Sequence, residues 1–366
     1  MSKIVIDARE YTTSTGRYMF RLVQYLEKLD DQHDYVLLLK PGDMDAYRLS
    51  NPRFTKVACP HKEFTFFGEQ VAFRRQLHGL KPDLVHFGKD HQPVLYKGRV
   101  VTTMHDLTTA RFRNPDKPWA IFKFKQLVYK RMVKRVARKS DAILTGSRFV
   151  KEDLVGFTGV NPDKITVTHE AADPIKEAAE AIPPLESRKF IMYVGRPTPH
   201  KNLERLIKAF GQVKAQYPDL VLVLAGKQDA NYRRIEKSVQ KQNIKGVVFL
   251  GFVSEARLRW LYEHCEAYVF PSLSEGFGLP GLEAMLQGAP VVSSNATCLP
   301  EVYGAAAHYF DPLDVKAMAD AINEVLTDSS LRAGLIEAGR RQAGQYSWQR
   351  LAEQTLEVYN RTLGSS

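Results

Sequence analysis

Along this chain, short β-branched and aliphatic runs alternate with stretches whose apolar residues recur every three or four positions. KIVID (3–7), YVLLL (35–39), LVHF (84–87), RVVTTM (99–104), AILT (142–145) and ITVT (165–168) read as strands. Between them, RYMFRLVQYLEKL (17–29) and FKFKQLVYKRMVKRVARK (122–139) carry helical spacing. The scheme then repeats with FIMYVG (190–195), LVLVLAG (220–226), VVFLG (247–251), AYVF (267–270) and PVV (290–292), with NLERLIKAFGQVKAQY (202–217) among the intervening helices. Strand–helix alternation predicts parallel sheets covered by helices on both faces, and two such series predict an α/β chain of two doubly wound domains. The boundary is expected within DPIKEAAEAIPPLESRK (173–189), which has no strand-like run. The expected domains are therefore 1–175 and 176–346, followed by one amphipathic helix in 347–366.

Ligands of doubly wound sheets bind beyond the carboxyl ends of the strands, so the loops there carry the functional signal. The strongest is AYVFPSLSEGFGLPGLEAMLQGAPVV (267–292). A strand ends near Phe270, a loop with Glu275, Gly276 and Gly278 follows, and Pro280 suits the first turn of a helix. Glycines allow close approach, and a helix start offers free N–H groups with partial positive charge. That combination suits an anion such as a phosphate. Glu275 and Glu283 are expected to accept from the vicinal hydroxyls of a sugar or ribose; a solvated loop and a helix-dipole carboxylate are the plainer alternative. Gly276, Gly278 and Gly281 also match G-x-G-x-x-G, but a dinucleotide fingerprint belongs after the first strand of a domain, not a fourth.

In YVGRPTPHKNLERLIKAF (193–210), Arg196 and Lys201 follow a strand end, ahead of a helix that Asn202 is placed to cap. Two cations facing a glycine-rich anion loop suit a diphosphate. In the first half, His105 and Asp106 follow the strand RVVTTM. A histidine there serves as a hydroxyl donor, an acid or a base, or else is structural. In IDAREYTTSTGRYMFRL (6–22), Gly16 and Arg17 open a helix after a polar loop that could shape an acceptor pocket. Asp43 and Asp45 form a D-x-D spacing, better explained by turn chemistry than by a metal.

Composition narrows the class. At 366 residues, 44% hydrophobic and 25% charged, the chain is an ordinary globular protein, with room for two or three domains at about 100–200 residues each. No run of about 18 apolar residues is present, and the start MSKIVIDARE does not read as a secretory leader. The three cysteines lack metal spacing and suggest reduced thiols, hence a cytoplasmic protein. The net charge of +11 is lopsided: residues 1–175 hold 30 Lys and Arg against 20 Asp and Glu, and residues 176–366 hold 22 against 21. Within 117–140 there are nine basic residues and no acidic one, among Trp119, Phe122, Phe124, Leu127 and Val128. Lys123, Lys125, Lys130 and Arg131 of this stretch are expected to face an anionic membrane surface, making the protein peripheral at the inner face. No nucleic-acid recognition motif accompanies the charge.

These motifs together resemble the retaining GT-B glycosyltransferases of family four, in the mannosyltransferase-like branch. The resemblance spans essentially the whole chain. It rests on E-x7-E (Glu275 to Glu283 in EGFGLPGLEAM), GRPTPHKN (195–202), MHDL (104–107) and DAR…TGRYMFRL (7–22). It implies two Rossmann-like domains across a cleft, with the last helix returning to the first domain. It further implies that Arg196 and Lys201 bind the donor diphosphate and that Glu283 binds the ribose. Glu275 with the backbone of Gly276, Phe277, Gly278 and Leu279 would hold the transferred sugar. His105 would lie beside that sugar, with Gly16, Arg17 and Asp106 toward phosphate or acceptor. THEAAD (168–173) departs from the N-G-V-D of many relatives, so no role is carried over there. The implied reaction moves a hexose from a nucleotide diphosphate sugar, best matched to GDP-mannose, onto a glycan or lipid-linked acceptor, with no cofactor and no metal. UDP-glucose or UDP-N-acetylglucosamine as donor, or a sugar-nucleotide epimerase of similar fold, are the alternatives.

Overall fold

Strands buried on both faces should read as unbroken apolar runs, and here they do. A computed structural model describes residues 1–10, 16–46, 48–61, 65–112 and 119–364. Ile4, Val5 and Ile6, and likewise Val221, Leu222 and Val223, are fully shielded from solvent. The chain divides into two compact units. Unit 1 takes Met1–Ala110, Pro118–Glu170 and Ser347–Ser366; unit 2 takes Arg111–Lys117 and Ala171–Tyr346. The division thus falls at Glu170, short of residue 175, and a short stretch after Ala110 clusters with unit 2.

Unit 1 runs β1 (Lys3–Asp7), α1 (Gly16–Leu29), β2 (Asp34–Leu39), β3 (Phe54–Ala58), α2 (Arg74–Leu80), β4 (Leu84–Phe87), β5 (Val100–Thr103), α3 (Thr108–Arg111), α4 (Trp119–Lys139), β6 (Ala142–Thr145), α5 (Arg148–Thr158) and β7 (Ile165–Val167). Its seven strands lie in the order β3-β2-β1-β4-β5-β6-β7, all pairs parallel. The chain changes direction across the sheet between β1 and β4, the place where such sheets open a crevice at their carboxyl ends.

Unit 2 runs β8 (Phe190–Val194), α6 (Leu203–Gln216), β9 (Val221–Ala225), α7 (Ala230–Lys241), β10 (Val247–Gly251), α8 (Glu255–His264), β11 (Ala267–Phe270), α9 (Leu279–Leu286), β12 (Val291–Ser294), α10 (Leu299–Tyr303), β13 (Ala307–Phe310), α11 (Val315–Thr327) and α12 (Ser329–Ala343). Its six strands lie in the order β10-β9-β8-β11-β12-β13, with the change of direction between β8 and β11. The two strands absent from the sequence reading, β3 and β13, are sheet edges, and both expose part of their surface.

After unit 2 the chain re-enters unit 1 as α13 (Trp348–Leu363), which packs on α1. Ser347 caps it by accepting from the Arg350 N–H. A buried polar chain ties α13 to the sheet. Tyr359 Oη lies 2.5 Å from His86 Nδ1, His86 Nε2 lies 2.8 Å from Thr103 Oγ1, and Tyr18 Oη lies 2.9 Å from the same Thr103 oxygen. Burial pushes the pKa of His86 down to about 3, helped by the neighbouring His105, so the ring is a neutral linker at any ordinary pH. Cys59, Cys265 and Cys298 are all buried and unbridged.

Candidate active site

The carboxyl edge of each sheet carries its own set of groups. In unit 1, β5 delivers His105 just beyond its last residue, beside the β1/β4 switch point. Its Nε2 lies 3.2 Å from the Gly88 carbonyl oxygen and its Nδ1 lies 3.2 Å from Glu170 Oε1. Tyr18 of α1 meets the ring edge-on at 5.0 Å. A carbonyl oxygen only accepts, so Nε2 carries a proton; the carboxylate at Nδ1 then favours a second one. Burial works against the charge, but Glu170, Asp106 and the Gly88 carbonyl outweigh it and raise the His105 pKa above 6.5. The sequence reading left acid, base and donor open. In this arrangement the protonated ring is favoured over the neutral one relative to a free imidazole, and both its nitrogens are engaged within unit 1.

Glu170 is the residue that sequence reasoning missed. It lies in THEAAD and is 8% exposed. No role is carried over to that segment, whose sequence departs from the relatives' pattern, and nothing in the neighbouring residues marks Glu170 as the partner of His105. Asp106 accepts from the Thr108 N–H at 2.7 Å, holding the turn into α3. The acid and base of the DAR motif are tied to each other. Arg9 donates from Nε and Nη2 to the two Asp7 oxygens at 2.8 and 2.7 Å, and its guanidinium lies 4.0 Å from the centre of the Phe73 ring. Gly16 is buried at the start of α1; the loop 11–15 expected to shape an acceptor pocket lies outside the described residues.

In unit 2, Gly195 follows β8, and Lys201 ends a 3₁₀ turn before α6. Lys201 Nζ lies 2.6 Å from Glu275 Oε1, with both side chains more than four-fifths buried. Arg196 Nε lies 2.7 Å from Asp229 Oδ2, and its side chain is 66% exposed. Lys201 and Glu275 thus meet across the loop, while Arg196 reaches outward. The loop is held from below. The Glu275 N–H donates to Thr297 Oγ1 at 3.1 Å, and the Leu273 N–H donates to the His200 carbonyl at 2.7 Å.

Gly278 precedes α9 with φ of +97°, and a Cβ there would sit 2.6 Å from Tyr303 Oη. That hydroxyl donates to the Gly278 carbonyl at 2.5 Å and fixes the turn. α9 starts directly after this turn, with Leu279 and Pro280 in its first turn. The Phe277 ring is buried, edge-on to Tyr346 at 5.3 Å. Glu283 is partly buried on the same helix. Asn202 does not cap α6 as expected. It sits in the left-handed region at φ of 61°, and its amide donates to the carbonyls of Pro271 and Pro312 at 3.0 and 2.7 Å. It pins the loops after β11 and β13 instead.

Among the described residues no cluster of three or more His, Cys, Asp or Glu is arranged to hold a metal, and no helix is long and apolar enough to cross a membrane.

Comparisons with known proteins agree with this architecture. Residues 175–342 match the family model of the glycosyl transferases group 1, and residues 15–176 match that of glycosyltransferase family 4. The chain is 30% identical to O-antigen chain mannosyltransferase B of Escherichia coli over 95% of its own length and 96% of the relative's. It is 33% identical to the serotype-specific mannosyltransferase WbdA of Escherichia coli over 62% of this chain and 30% of that longer protein. Sucrose-phosphate synthase from Thermosynechococcus elongatus superposes on the whole chain with a TM-score of 0.80 at 20% identity. Two parallel-sheet Rossmann-like units, the E-x7-E pair on the loop and helix after β11, and a full-length relative together make this chain a member of the group 1, family four GT-B glycosyltransferases.

Proposed function

We propose that the protein transfers mannose from GDP-mannose, with retention of configuration, to a hydroxyl of a glycan or lipid-linked acceptor in cell-surface polysaccharide synthesis. The observation that carries the reading is the full-length likeness to an O-antigen chain mannosyltransferase. The choice of GDP as the nucleotide rests on the DAR…GRY resemblance in α1 and the strand before it.

In this reading the donor diphosphate meets Lys201, Arg196 and the N-terminus of α9, which stabilise leaving-group charge without a metal. Lys201 and Glu275 separate when the donor arrives: the ammonium turns to phosphate and the carboxylate accepts from sugar hydroxyls. Glu283 accepts from the ribose diol. His105, whose protonated form Glu170 favours, turns its Nε2–H from the Gly88 carbonyl toward the sugar or the leaving group when the donor arrives. The bond from the anomeric carbon to the diphosphate breaks as the bond to the acceptor oxygen forms on the same face. The acceptor proton passes to the leaving diphosphate oxygen. The basic face of α4 supports a peripheral position at the cytoplasmic face of a membrane.

Donor hydrolysis screened across GDP-mannose, UDP-glucose and UDP-N-acetylglucosamine, followed by transfer with the preferred donor, tests this reading. A preference for a UDP-sugar overturns the donor, and an inverted product overturns the stereochemistry. Activity should survive a chelator; complete and reversible loss would mean that a divalent ion takes part.

A further inference from the structure

At the carboxyl edge of the unit 1 sheet sits a carboxyl group that the transfer chemistry does not use. Glu69 belongs to the helical segment Phe66–Phe73, which follows β3. The residue is 6% exposed, and its Oε1 is shut off from solvent with no hydrogen-bond partner among the described residues. Burial pushes its pKa up, against the pull of Arg9, His91 and Lys89. A buried carboxyl left unpaired destabilises the fold, so packing alone does not account for it. An orphan of this kind calls for a ligand or a chemical role.

The surroundings indicate which ligand. Glu69 faces Arg9, His91, Lys89 and Asp7. Arg9 is tied to Asp7, while Lys89 Nζ lies 3.0 Å and Lys40 Nζ 3.3 Å from the same Glu10 oxygen. His91 Nδ1 lies 3.0 Å from Asp90 Oδ1. The side chains of Glu10, Lys89, Asp90 and His91 are each between 17% and 27% exposed, so a solute can reach this corner. Asp7, Glu10, Glu69 and Asp90 stand against Arg9, Lys40 and Lys89, so the described residues hold no surplus of positive charge for a phosphate. Carboxylates accept from hydroxyls and an ammonium donates to them, which suits an uncharged polyol. On the same helical segment, Phe66 and Phe67 are 64% and 79% exposed and meet edge-to-face at 5.7 Å. Exposed rings a few residues from such groups give the carbon face of a sugar ring an apolar surface to cover. Gly88, whose carbonyl meets His105, immediately precedes Lys89, so this corner shares a loop with the histidine.

We propose that Glu69, Glu10 and Lys89, with Phe66 and Phe67, form a subsite for an uncharged sugar unit of the acceptor. This deepens the acceptor side of the proposed function and rests on it. The receiving end of the acceptor is then a neutral pyranoside, not a phosphorylated headgroup. Glu69 accepts from its hydroxyls, the Glu10–Lys89 pair supplies a further acceptor and donor, and the two rings lie against its carbon face.

The test is titration of the full chain with methyl α-mannopyranoside, methyl α-glucopyranoside and mannose 6-phosphate, followed by nuclear magnetic resonance. GDP-mannose hydrolysis without acceptor is measured separately. The variants are E69Q and F67S. Phe67 is exposed, so F67S should keep the fold, checked by circular dichroism. E69Q keeps the shape and removes an unfavourably buried charge, so at pH 8 it should melt no lower than the parent. The parent should bind at least one neutral glycoside, and no less tightly than mannose 6-phosphate. E69Q should lose on the order of 10-fold in affinity, the scale of a hydrogen bond to a charged group, and F67S about 3-fold or more. A lowered melting temperature in E69Q with glycoside affinity intact makes Glu69 a structural residue and overturns the subsite. Unchanged affinity in both variants, or no glycoside binding by the parent, overturns it as well. Tighter binding of mannose 6-phosphate overturns the uncharged class. Tighter binding of octyl than of methyl α-mannopyranoside, lost in F67S but kept in E69Q, overturns the subsite in favour of rings that meet hydrocarbon. Absence of GDP-mannose hydrolysis overturns the donor reading, and the glycoside titration still decides the subsite.

Discussion

Replacing Glu170 by Gln keeps the shape of the His105 contact and removes its charge. In the parent, Nδ1 sits 3.2 Å from Glu170 Oε1, with side chains 21% and 10% exposed. A hydrogen bond to a charged group in such a setting contributes about 1.5–3 kcal/mol. Burial is the largest influence on this ring and acts against the cation, so losing the carboxylate should bring the His105 pKa down from its raised position. The folded state holds the proton more firmly than the unfolded chain, whose imidazole titrates near 6.5. The stabilisation is therefore fully present below about pH 6.5 and is lost as pH rises through the higher folded value. At high pH the single ring proton is claimed by the Gly88 carbonyl, leaving a bare nitrogen against the carboxylate, so the variant should then equal or exceed the parent in stability. Two measurements check this: the His105 titration followed by nuclear magnetic resonance, and urea unfolding of both proteins at pH 6 and pH 9. A titration unmoved by Glu170→Gln, or a stability difference that is the same at both pH values, would refute the argument that this pair holds the proton.

Lys201→Ala should weaken donor binding or the rate of transfer by roughly 2–4 kcal/mol, the scale of one lost transition-state donor, as read by calorimetry and steady-state rates. Gly278→Ala should destabilise unit 2 by about 2 kcal/mol or more in thermal unfolding, because φ of +97° and a Cβ 2.6 Å from Tyr303 Oη combine strain with a clash. Asn202→Ala should cost about 1–3 kcal/mol for each carbonyl left unpaired at Pro271 and Pro312, and should lower donor affinity if those loops shape the site.

Much of this architecture could be read from the sequence, because buried parallel strands must be continuously apolar. KIVID, YVLLL and VLVLA announce themselves for that reason. FTKVA and AHYF do not, because β3 and β13 bury only part of their surface and tolerate polar residues. The geometry of the candidate site was legible where it is local: the loop glycines, Pro280 and the two glutamates lie within one strand–loop–helix unit, as their spacing predicts. It was illegible where partners come from distant positions. Glu170 meets His105 across 65 residues of chain, and nothing local marks it. Asn202 shows the opposite failure. Its position before a helix suggested a cap, but the residue sits in the left-handed region and its amide reaches two other loops.

The return of α13 to unit 1 also has a bearing on synthesis. Unit 2 draws on residues 111–117 and 171–346, so all of it has been synthesised before α13 is made. Unit 1 has not. Until residues 348–363 emerge, α1 lacks the helix that packs on it, and His86 waits for a hydroxyl encoded 273 residues later. Domains tend to mature in the order they are translated. Here the first to be translated is the last that can be finished, and a nascent chain carries an open apolar groove for the whole time its second half is being made. A release factor arriving early, or a stop codon ahead of Tyr359, would leave unit 2 with its full sequence and unit 1 exposed to chaperones and proteases.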